Sequence, residues 1–315
     1  MRDLRIVFMG TPDFAVSTLK EIINTGFNVV GVITAPDRPA GRGRKLQESA
    51  VKQYAVTQNL PVLQPTNLKS ESFLEELRKL NPNVQVVVAF RMLPEAVWKL
   101  PEYGTFNLHA SLLPQYRGAA PINWAIINGE TTTGVSTFFI DEKIDTGAMI
   151  LQKEITISKE ENVGELHDNL MIIGAKLVTD TLNLIKEDKV TTQKQVEHPE
   201  LKDAPKLTKQ NTQINWSKPL IEIYNHIRGL NPYPAAWCYL KNGEETLKVK
   251  LFEVEPLTES HNYSNGKILQ EGKELKVAVS GGYLILKELQ LPGKRKMKTK
   301  ELLNGYQFDL DAKLL

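Results

Sequence analysis

The sequence predicts an α/β protein of two domains, a doubly wound α/β domain with a mostly parallel sheet followed by a small β-barrel. The chain has 315 residues, whereas one domain usually contains about 100–200 residues. Continuous Val- and Ile-rich runs alternate with helical segments through the first part of the chain, which is typical of a parallel sheet covered on both faces. Short alternating strands separated by Gly, Asn and Pro turns follow in the second part, as in a small barrel.

The segment 1–190 is expected to form the α/β domain. Its strands are predicted from apolar, β-branched runs, and its helices from apolar residues at helical spacing. The predicted elements are strand 5–10, helix 13–26, strand 28–34, helix 72–80, strand 84–90, strand 105–111, strand 134–140 and helix 162–187. Gly26 stands where the first helix is expected to end.

The segments after residue 190 have a different character. Residues 191–205 are polar, include two prolines and show no periodicity, so we expect a linker. Residues 206–315 are expected to form the barrel, with the OB-fold as a candidate. Its predicted strands are LKVKLFEVE, GKILQEG, ELKVAVSGGYLILKELQL and GYQF.

Composition excludes several classes of protein. No run of about 18 apolar residues is present, so no membrane span is expected. The N-terminal apolar run is short and ends in Gly-Thr-Pro, unlike a secretory signal. The single cysteine, Cys238, excludes an intramolecular disulfide and a cysteine-cluster metal site. We therefore expect a cytoplasmic protein. An excess of basic residues after position 190 favours a polyanionic partner for the second domain.

Three common kinds of active site are not expected. The turn Gly10-Thr-Pro-Asp lacks the G-x-G-x-x-G pattern, and no P-loop is present, so no nucleotide cofactor is predicted. The histidines are scattered without metal-ligand spacing, so no metal is predicted. No serine stands in a G-x-S-x-G motif, which argues against a serine nucleophile.

The stretch FNLHASLLPQYRGAAP contains the main candidate site. Asn107 and His109 are two residues apart in a predicted strand, so their side chains share one face. Ligands bind open α/β sheets at the carboxyl ends of the strands, where an amide and an imidazole could stabilise an oxyanion. Asp145 follows the next strand and would orient the imidazole. Two satisfied polar groups in the core are an equally open interpretation.

Two basic segments are candidates for binding an anion. The loop 35–48 is long and carries Arg38, Arg42, Arg44 and Lys45 on a Pro- and Gly-rich frame, which suits phosphate contacts. The run 293–300 in the second domain is also basic. A solvated loop and a solvated hairpin tip are the alternative interpretations.

The sequence resembles the folate-dependent formyltransferases. The resemblance rests on FNLHASLLPQYRGAAPINWAIINGE followed by DEKIDTGAMI, and it extends from residue 5 to residue 315. FMGTPDFA near the start and APDRPAGRGRK in the basic loop are similar to the branch of the family that formylates methionyl-initiator-tRNA. The resemblance implies a Rossmann-like formyltransferase domain joined by a linker to an OB-like barrel.

The resemblance also implies roles for particular residues. Catalysis falls on Asn107, His109 and Asp145, with 10-formyltetrahydrofolate as the co-substrate and no metal. The folate-binding residues it implies are Ser111, Leu112, Leu113 and Pro114, together with Phe90, Arg91, Met92 and Leu93. Many members read AYG-x-x-LP where this chain has AFRMLP. The implied tRNA-binding residues are Arg38, Arg42, Arg44 and Lys45 in the loop, with Lys294, Arg295, Lys296 and Lys298 in the barrel.

We therefore expect a monomeric enzyme that transfers the formyl group to the α-amine of methionyl-initiator-tRNA. The nearest alternative is a formyltransferase for an amino-sugar nucleotide, and the arginine-rich loop favours the tRNA substrate. A hydrolase of the folate formyl group is a further alternative. A non-catalytic RNA-binding protein would leave Asn107, His109 and Asp145 unexplained.

Overall fold

The computed structural model describes residues 1–40, 45–196 and 198–315, which form two compact units. Unit 1 contains Met1–Gly118, Thr133–Ile155 and His167–Asp203. Unit 2 contains Ala119–Thr132, Thr156–Leu166 and Ala204–Leu315. These units interleave along the chain, whereas the predicted domains 1–190 and 206–315 are sequential. The boundaries of independently folding domains stay a prediction.

The described helices alternate with strands along unit 1 and are fewer in unit 2. In chain order the helices are α1 Asp13–Asn24, α2 Ala50–Thr57, α3 Glu71–Lys79, α4 Glu95–Trp98, α5 Pro121–Ile127, α6 Val163–Lys186, α7 Leu220–Arg228 and α8 Thr299–Leu302. The strands before residue 160 are β1 Arg5–Gly10, β2 Asn28–Ile33, β3 Arg38–Ala40, β4 Lys45–Gln47, β5 Val62–Leu63, β6 Val84–Val88, β7 Thr105–His109, β8 Arg117–Gly118, β9 Thr132–Phe139 and β10 Met149–Thr156. The later strands are β11 Asp203–Ala204, β12 Ala236–Asn242, β13 Glu245–Leu257, β14 Ile268–Glu271, β15 Glu274–Val279, β16 Gly282–Gln290, β17 Met297–Lys298 and β18 Lys313–Leu314.

The main sheet of unit 1 is mostly parallel, as predicted. Its strand order within the described residues is β10-β9-β7-β6-β1-β2-β5. The strands from β5 to β7 pair in parallel, and β7 pairs with β9 in antiparallel fashion. The central strands β1 and β6 are almost wholly buried, as expected for parallel strands covered on both faces. The doubly wound architecture is therefore confirmed.

Two strands end two residues earlier than the sequence pattern predicts. The strand predicted for 84–90 ends at Val88, because Ala89 adopts φ 48°, a left-handed conformation outside the range of a strand. The strand predicted for 105–111 ends at His109. Both predictions were two residues too long. The chain therefore leaves the sheet at the residues on which the candidate site was placed.

Unit 2 contains an antiparallel sheet that curls into a barrel. Its order in the described chain is β14-β15-β16-β13-β12-β18, with β17 paired to β16. The bridge between Lys267 and Lys313 joins β18 to the residue before β14, which brings the two ends of the sheet together. The inward-facing side chains form one apolar core, to which Leu251, Val277 and Leu284 contribute with no exposed area. The OB-like prediction is confirmed.

One predicted barrel strand is wrong. The segment GYQF, residues 305–308, follows α8 and forms no strand in the described structure. The Tyr306 amide donates to Leu302 O at 2.9 Å, which ends the helix. The Tyr306 and Phe308 rings pack edge to face with centroids 5.0 Å apart and lie against the barrel core. Their alternating apolar pattern therefore reflects packing after a helix.

Within the described residues, no helix combines the length and the apolar character needed to span a bilayer.

Candidate active site

Strand β7 places Asn107 and His109 on one face of the main sheet. Asn107 lies between Val87 of β6 and Phe138 of β9 in the strand register. Side chains two residues apart along a strand point to the same side. The Asn107 side chain is half-buried, and His109 is only 6% exposed. The two side chains that the sequence singled out therefore share a mostly buried face at the end of a central strand.

The His109 ring is held by a backbone carbonyl. Nε2 lies 2.8 Å from the carbonyl oxygen of Tyr116, and a carbonyl can only accept, so Nε2 carries a hydrogen. Tyr116 itself has φ 60° and its amide donates to Lys202 O at 2.6 Å. Nδ1 makes no hydrogen bond within the described residues. That nitrogen remains available for a substrate atom.

Asp145 lies beside the His109 ring. Its Oδ2 atom is 3.9 Å from His109 Nδ1, and the two side chains are 14% and 7% exposed. The same oxygen accepts a hydrogen bond of 3.0 Å from the Gly118 amide. Asp145 has φ 56°, a conformation that Asp and Asn adopt more readily than most residues. The turn after β9 thus brings a carboxylate to the end of β7.

The side chains of Asn107 and His109 both have unused hydrogen-bonding capacity. The Asn107 amide, like His109 Nδ1, has no hydrogen-bond partner among the described residues. Buried polar groups in folded proteins are usually paired. Two neighbouring groups with unused hydrogen-bonding capacity, close to a carboxylate, can receive a polar substrate atom and stabilise charge that develops on it.

The segment Ser111–Pro114 is held by a buried network behind the site. Ser136 Oγ donates to Ser111 O at 2.6 Å and accepts from the Leu113 amide at 3.1 Å. Gln152 Nε2 donates to Ser136 Oγ and to Leu113 O, both at 2.8 Å. Ser111 Oγ donates to Gln115 O at 2.6 Å.

Most of this segment is therefore committed to protein contacts. Leu113 is buried, whereas Leu112 and Pro114 are half-buried. Sequence reasoning missed Ser136 and Gln152, because neither belongs to a motif and both reach the segment from neighbouring strands.

The segment Phe90–Leu93 is anchored at three of its four positions. Phe90 and Leu93 pack against the apolar cluster beneath the sheet. The Arg91 guanidinium donates to Thr66 O at 3.1 Å and also to Pro65 O. Burial, with a smaller contribution from Arg38, lowers the pKa of Arg91 from its ordinary value. Met92 is 69% exposed and is the free side chain of the segment.

The basic loop of unit 1 is described at its two ends. Arg38 begins β3, which pairs with β4 so that Arg38 stands opposite Gln47 and Ala40 opposite Lys45. Arg42 and Arg44 lie outside the described residues. Asp37, just before β3, accepts hydrogen bonds from Lys52 Nζ at 2.5 Å and from Gln64 Nε2 at 2.7 Å. These contacts lower the pKa of Asp37, with the Lys52 hydrogen bond as the largest cause.

The basic run of unit 2 is partly neutralised by carboxylates. Arg295 pairs with Glu301 at 3.0 Å, and Lys296 pairs with Glu288 at 2.7 Å. Lys294 and Lys298 are exposed and form no ion pair with any described residue. Lys300, at the end of the run, is also exposed and forms no ion pair with a described residue. The cationic charge of this run that no described carboxylate pairs therefore lies on these three lysines.

A second basic cluster of unit 2 was missed by sequence reasoning. Lys248 Nζ lies 3.8 Å from the centre of the Trp237 ring, and Lys209 Nζ lies 6.0 Å from it. Lys250 stands opposite Trp237 in the register of β12 and β13. Desolvation, followed by repulsion from Lys209 and Lys250, lowers the pKa of Lys248. The sequence signal that could have revealed this cluster is the alternation of lysines in LKVK, on a strand that pairs with the strand carrying Trp237.

In residues 1–40, 45–196 and 198–315, no group of three or more His, Cys, Asp or Glu side chains could hold a metal ion.

Comparison with known families covers both parts of the chain. Residues 4–182 match the model for formyl transferase, and residues 206–307 match the model for the formyl transferase C-terminal domain. A methionyl-tRNA formyltransferase of Flavobacterium johnsoniae is 59% identical over 314 residues, covering all of both chains. The enzyme of the same name from Bacteroides thetaiotaomicron is 54% identical over 97% of this chain and 96% of its own.

Solved structures share the fold at low sequence identity. An N-formyltransferase from Helicobacter canadensis, in complex with folinic acid and dTDP-3-aminofucose, has a TM-score of 0.64 at 20% identity. It covers 90% of this chain and 98% of its own. HypX from Aquifex aeolicus, in complex with tetrahydrofolic acid, has a TM-score of 0.66 at 16% identity and covers 98% of this chain and 49% of its own. With both family models matched in order and full-length relatives above half identity, the chain belongs to the formyl transferase family.

Proposed function

We propose that this protein transfers the formyl group of 10-formyltetrahydrofolate to the free α-amine of methionyl-initiator-tRNA. The observation that carries the proposal is the cluster of Asn107, His109 and Asp145. Two of these side chains have unused hydrogen-bonding capacity, and the third is a carboxylate 3.9 Å from the imidazole. The full-length relatives with the same activity in their names support the choice of reaction.

The reaction needs a place for negative charge and a route for one proton. 10-Formyltetrahydrofolate is a substrate that supplies the formyl carbon. A bond from this carbon to the methionine nitrogen forms and its bond to the folate nitrogen breaks. The proton that leaves the amine is balanced by the one that the folate nitrogen gains. The Asn107 amide and protonated His109 Nδ1 would donate to the formyl oxygen as it gains negative charge. Asp145 would keep the ring oriented and take part in moving the proton, directly or through water.

The co-substrate would lie against two segments next to this cluster. Ser111–Pro114 follows His109 directly and is held in place by Ser136 and Gln152. Phe90–Leu93 leaves the neighbouring strand β6 and presents an exposed Met92. An apolar side chain with a few fixed polar groups nearby suits a ring system that carries amides.

The tRNA would be held by cationic side chains in both units. Arg38, Arg42, Arg44 and Lys45 would contact it in unit 1. In unit 2 the run Lys294, Arg295, Lys296 and Lys298 would contribute, mainly through the two lysines that have no ion pair. Phosphate contacts of this kind weaken as salt concentration rises. We also propose that the protein acts as a cytoplasmic monomer.

The acceptor decides between this function and its nearest alternative. The purified protein is supplied with 10-formyltetrahydrofolate and, separately, with charged initiator tRNA, charged elongator tRNA or an amino-sugar nucleotide. We expect formyl transfer to methionyl-initiator-tRNA. Transfer to the sugar nucleotide alone would overturn the proposal, and binding of tRNA without any transfer would indicate a non-catalytic protein.

A further inference from the structure

A buried glutamine in the segment predicted to be a linker contacts the turn that carries Asp145. Gln195 is only 5% exposed. Two residues earlier, Gln193 exchanges both backbone hydrogen bonds with Met149, at 2.8 and 2.9 Å. This pairing lays the segment alongside the end of the Asp145 turn. Gln195 thus belongs to unit 1 and reaches the site from about 50 residues further along the chain.

The Gln195 amide uses all of its hydrogen-bonding capacity. Nε2 donates to the carbonyl oxygens of Asp145 and Gly147, both at 2.9 Å. Oε1 accepts from Arg117 Nε at 3.0 Å and from Arg117 Nη2 at 2.8 Å. A primary amide has two N–H donors and one oxygen with two lone pairs, so every position is filled.

These partners also fix the orientation of the amide. Exchanging its oxygen and nitrogen would set N–H groups against the Arg117 guanidinium and an oxygen against two carbonyls. Only one of the two orientations therefore forms hydrogen bonds. The Gln195 amide is thus held in one orientation, and among the described residues it forms no hydrogen bond with Asn107 or His109.

These hydrogen bonds form a closed loop through Asp145, Gln195, Arg117 and Gly118. Gln195 binds the Asp145 carbonyl on one side and the Arg117 side chain on the other. The next residue, Gly118, donates its amide to Asp145 Oδ2 at 3.0 Å. Gln195 thus contacts Asp145 itself and the residue next to Gly118. The positive φ of Asp145 is kept in the same way, because the Gln195 amide binds the carbonyl of that residue.

We infer that Gln195 is a positioning residue, which acts through Asp145 by setting the distance between its carboxylate and the His109 ring. This inference rests on the proposed function, since it concerns the rate of formyl transfer. It also gives the predicted linker segment a role in the reaction. Misplacing a catalytic group by about 1 Å can cost on the order of 10²-fold in rate.

The test uses substitutions that keep the size of the side chain. Gln195→Glu keeps the acceptors for Arg117 but has no N–H donor for the Asp145 and Gly147 carbonyls. Gln193→Glu introduces the same charge at an exposed position two residues away and is the matched control. Gln195→Met is measured as well. It is uncharged, so it still tests the inference if the buried charge of Gln195→Glu unfolds that variant.

We expect Gln195→Glu and Gln195→Met to lower kcat by about 10- to 100-fold, with KM for charged tRNA and for the folate changed by less than about twofold. Gln193→Glu should match the unaltered protein. A kcat for both Gln195 variants equal to that of the control would overturn the inference. Failure of the unaltered protein to formylate any charged tRNA would instead refute the proposed function.

A double-mutant cycle separates positioning from general damage to the fold. If Gln195 acts through Asp145, Gln195→Met should cause no further loss of kcat in a protein that already carries Asp145→Asn. Losses that multiply in the double variant would show that Gln195 acts elsewhere. Urea unfolding of all the variants verifies that each kinetic value comes from folded protein.

Discussion

His109 Nδ1 lies 3.9 Å from Asp145 Oδ2, beyond the length of a direct hydrogen bond yet close enough for the carboxylate to act on the ring electrostatically. The carboxylate oxygen that faces the ring is held by the Gly118 amide. Asp145 can therefore keep its place while the imidazole contacts a substrate atom. In this geometry the carboxylate lies beside the imidazole, and Nδ1 forms no hydrogen bond with a described residue.

Replacing Asp145 by Asn should lower kcat by about 10²-fold or more, because an amide carries no charge and cannot take up the proton. The backbone should tolerate the change, since Asn also adopts positive φ readily. Steady-state formylation of charged tRNA measures the effect. Glu142→Gln removes an exposed carboxylate from the same loop and serves as control. Equal activity of the two variants would argue against a role for Asp145.

Replacing Ser136 by Ala should weaken the support of Ser111–Pro114. The substitution removes the partner of the Ser111 carbonyl and of the Leu113 amide. A buried group left without a partner costs about 1–3 kcal/mol, so we expect that loss in the free energy of unfolding and a higher KM for the folate. Urea denaturation and steady-state kinetics check both effects. The exposed Ser72→Ala in α3 should change neither, and a Ser136→Ala protein that behaves like Ser72→Ala would refute this account.

Replacing Gly147 by Ala should displace the turn that carries Asp145. A β-carbon at Gly147 would stand 1.7 Å from the carbonyl oxygen of Phe139, so the backbone must shift. Overpacking of this kind costs about 1–3 kcal/mol or more, and formylation should fall with it. Thermal unfolding and activity assays measure the effects. Gly305→Ala is the control, because its added β-carbon would have no described atom within 4 Å. An unaffected Gly147→Ala protein would contradict the close approach of Gly147 to Phe139.

His226 should make the stability of the protein depend on pH. Burial lowers the pKa of His226 from its ordinary value, and its Nε2 has no hydrogen-bond partner in the described part of the chain. The unfolded chain therefore binds a proton at about pH 6.5 while the folded state does not, so stability falls as pH drops below that value. One such group contributes a slope of at most about 1.4 kcal/mol per pH unit.

The prediction for His226 is tested by urea unfolding between pH 8 and pH 5. His226→Gln should flatten the decrease on the acid side, because glutamine does not titrate. His198→Gln, at an exposed position, should leave the slope unchanged. Identical pH dependence in the unaltered protein and the His226→Gln variant would show that this histidine does not control acid stability.

The sequence was sufficient to predict the face on which Asn107 and His109 lie, because the period of a strand depends only on local backbone geometry. The position of Asp145 did not follow from the strand ends, because β9 runs antiparallel to β7 and ends opposite Phe106. It is the loop 140–148 that brings the Asp145 carboxylate to His109. Gln195 and Gln152 could not be found in this way. Each acts through side-chain contacts with residues far away in the chain, and their neighbours in sequence carry no motif.

The ends of the strands were predicted less well than their positions along the chain. Ala89 has a left-handed conformation that nothing in the apolar run VQVVVAF indicates. Helix α5 was also not predicted. It packs against α7 within unit 2, so its packing partner lies about 100 residues further along the chain. The end of that strand and the presence of this helix depend on tertiary packing, which local periodicity does not encode.

The measurement that most directly tests the central claim is the single-turnover rate of formyl transfer in an Asn107→Ala protein saturated with both substrates. We predict a rate about 10²–10³-fold below that of the unaltered protein, because one donor to the developing oxyanion is lost. Binding of charged tRNA and the free energy of unfolding should be retained, and the exposed Asn24→Ala control should react normally. A rate for Asn107→Ala within about threefold of the unaltered protein would contradict the claim that Asn107 stabilises the charge formed in the reaction.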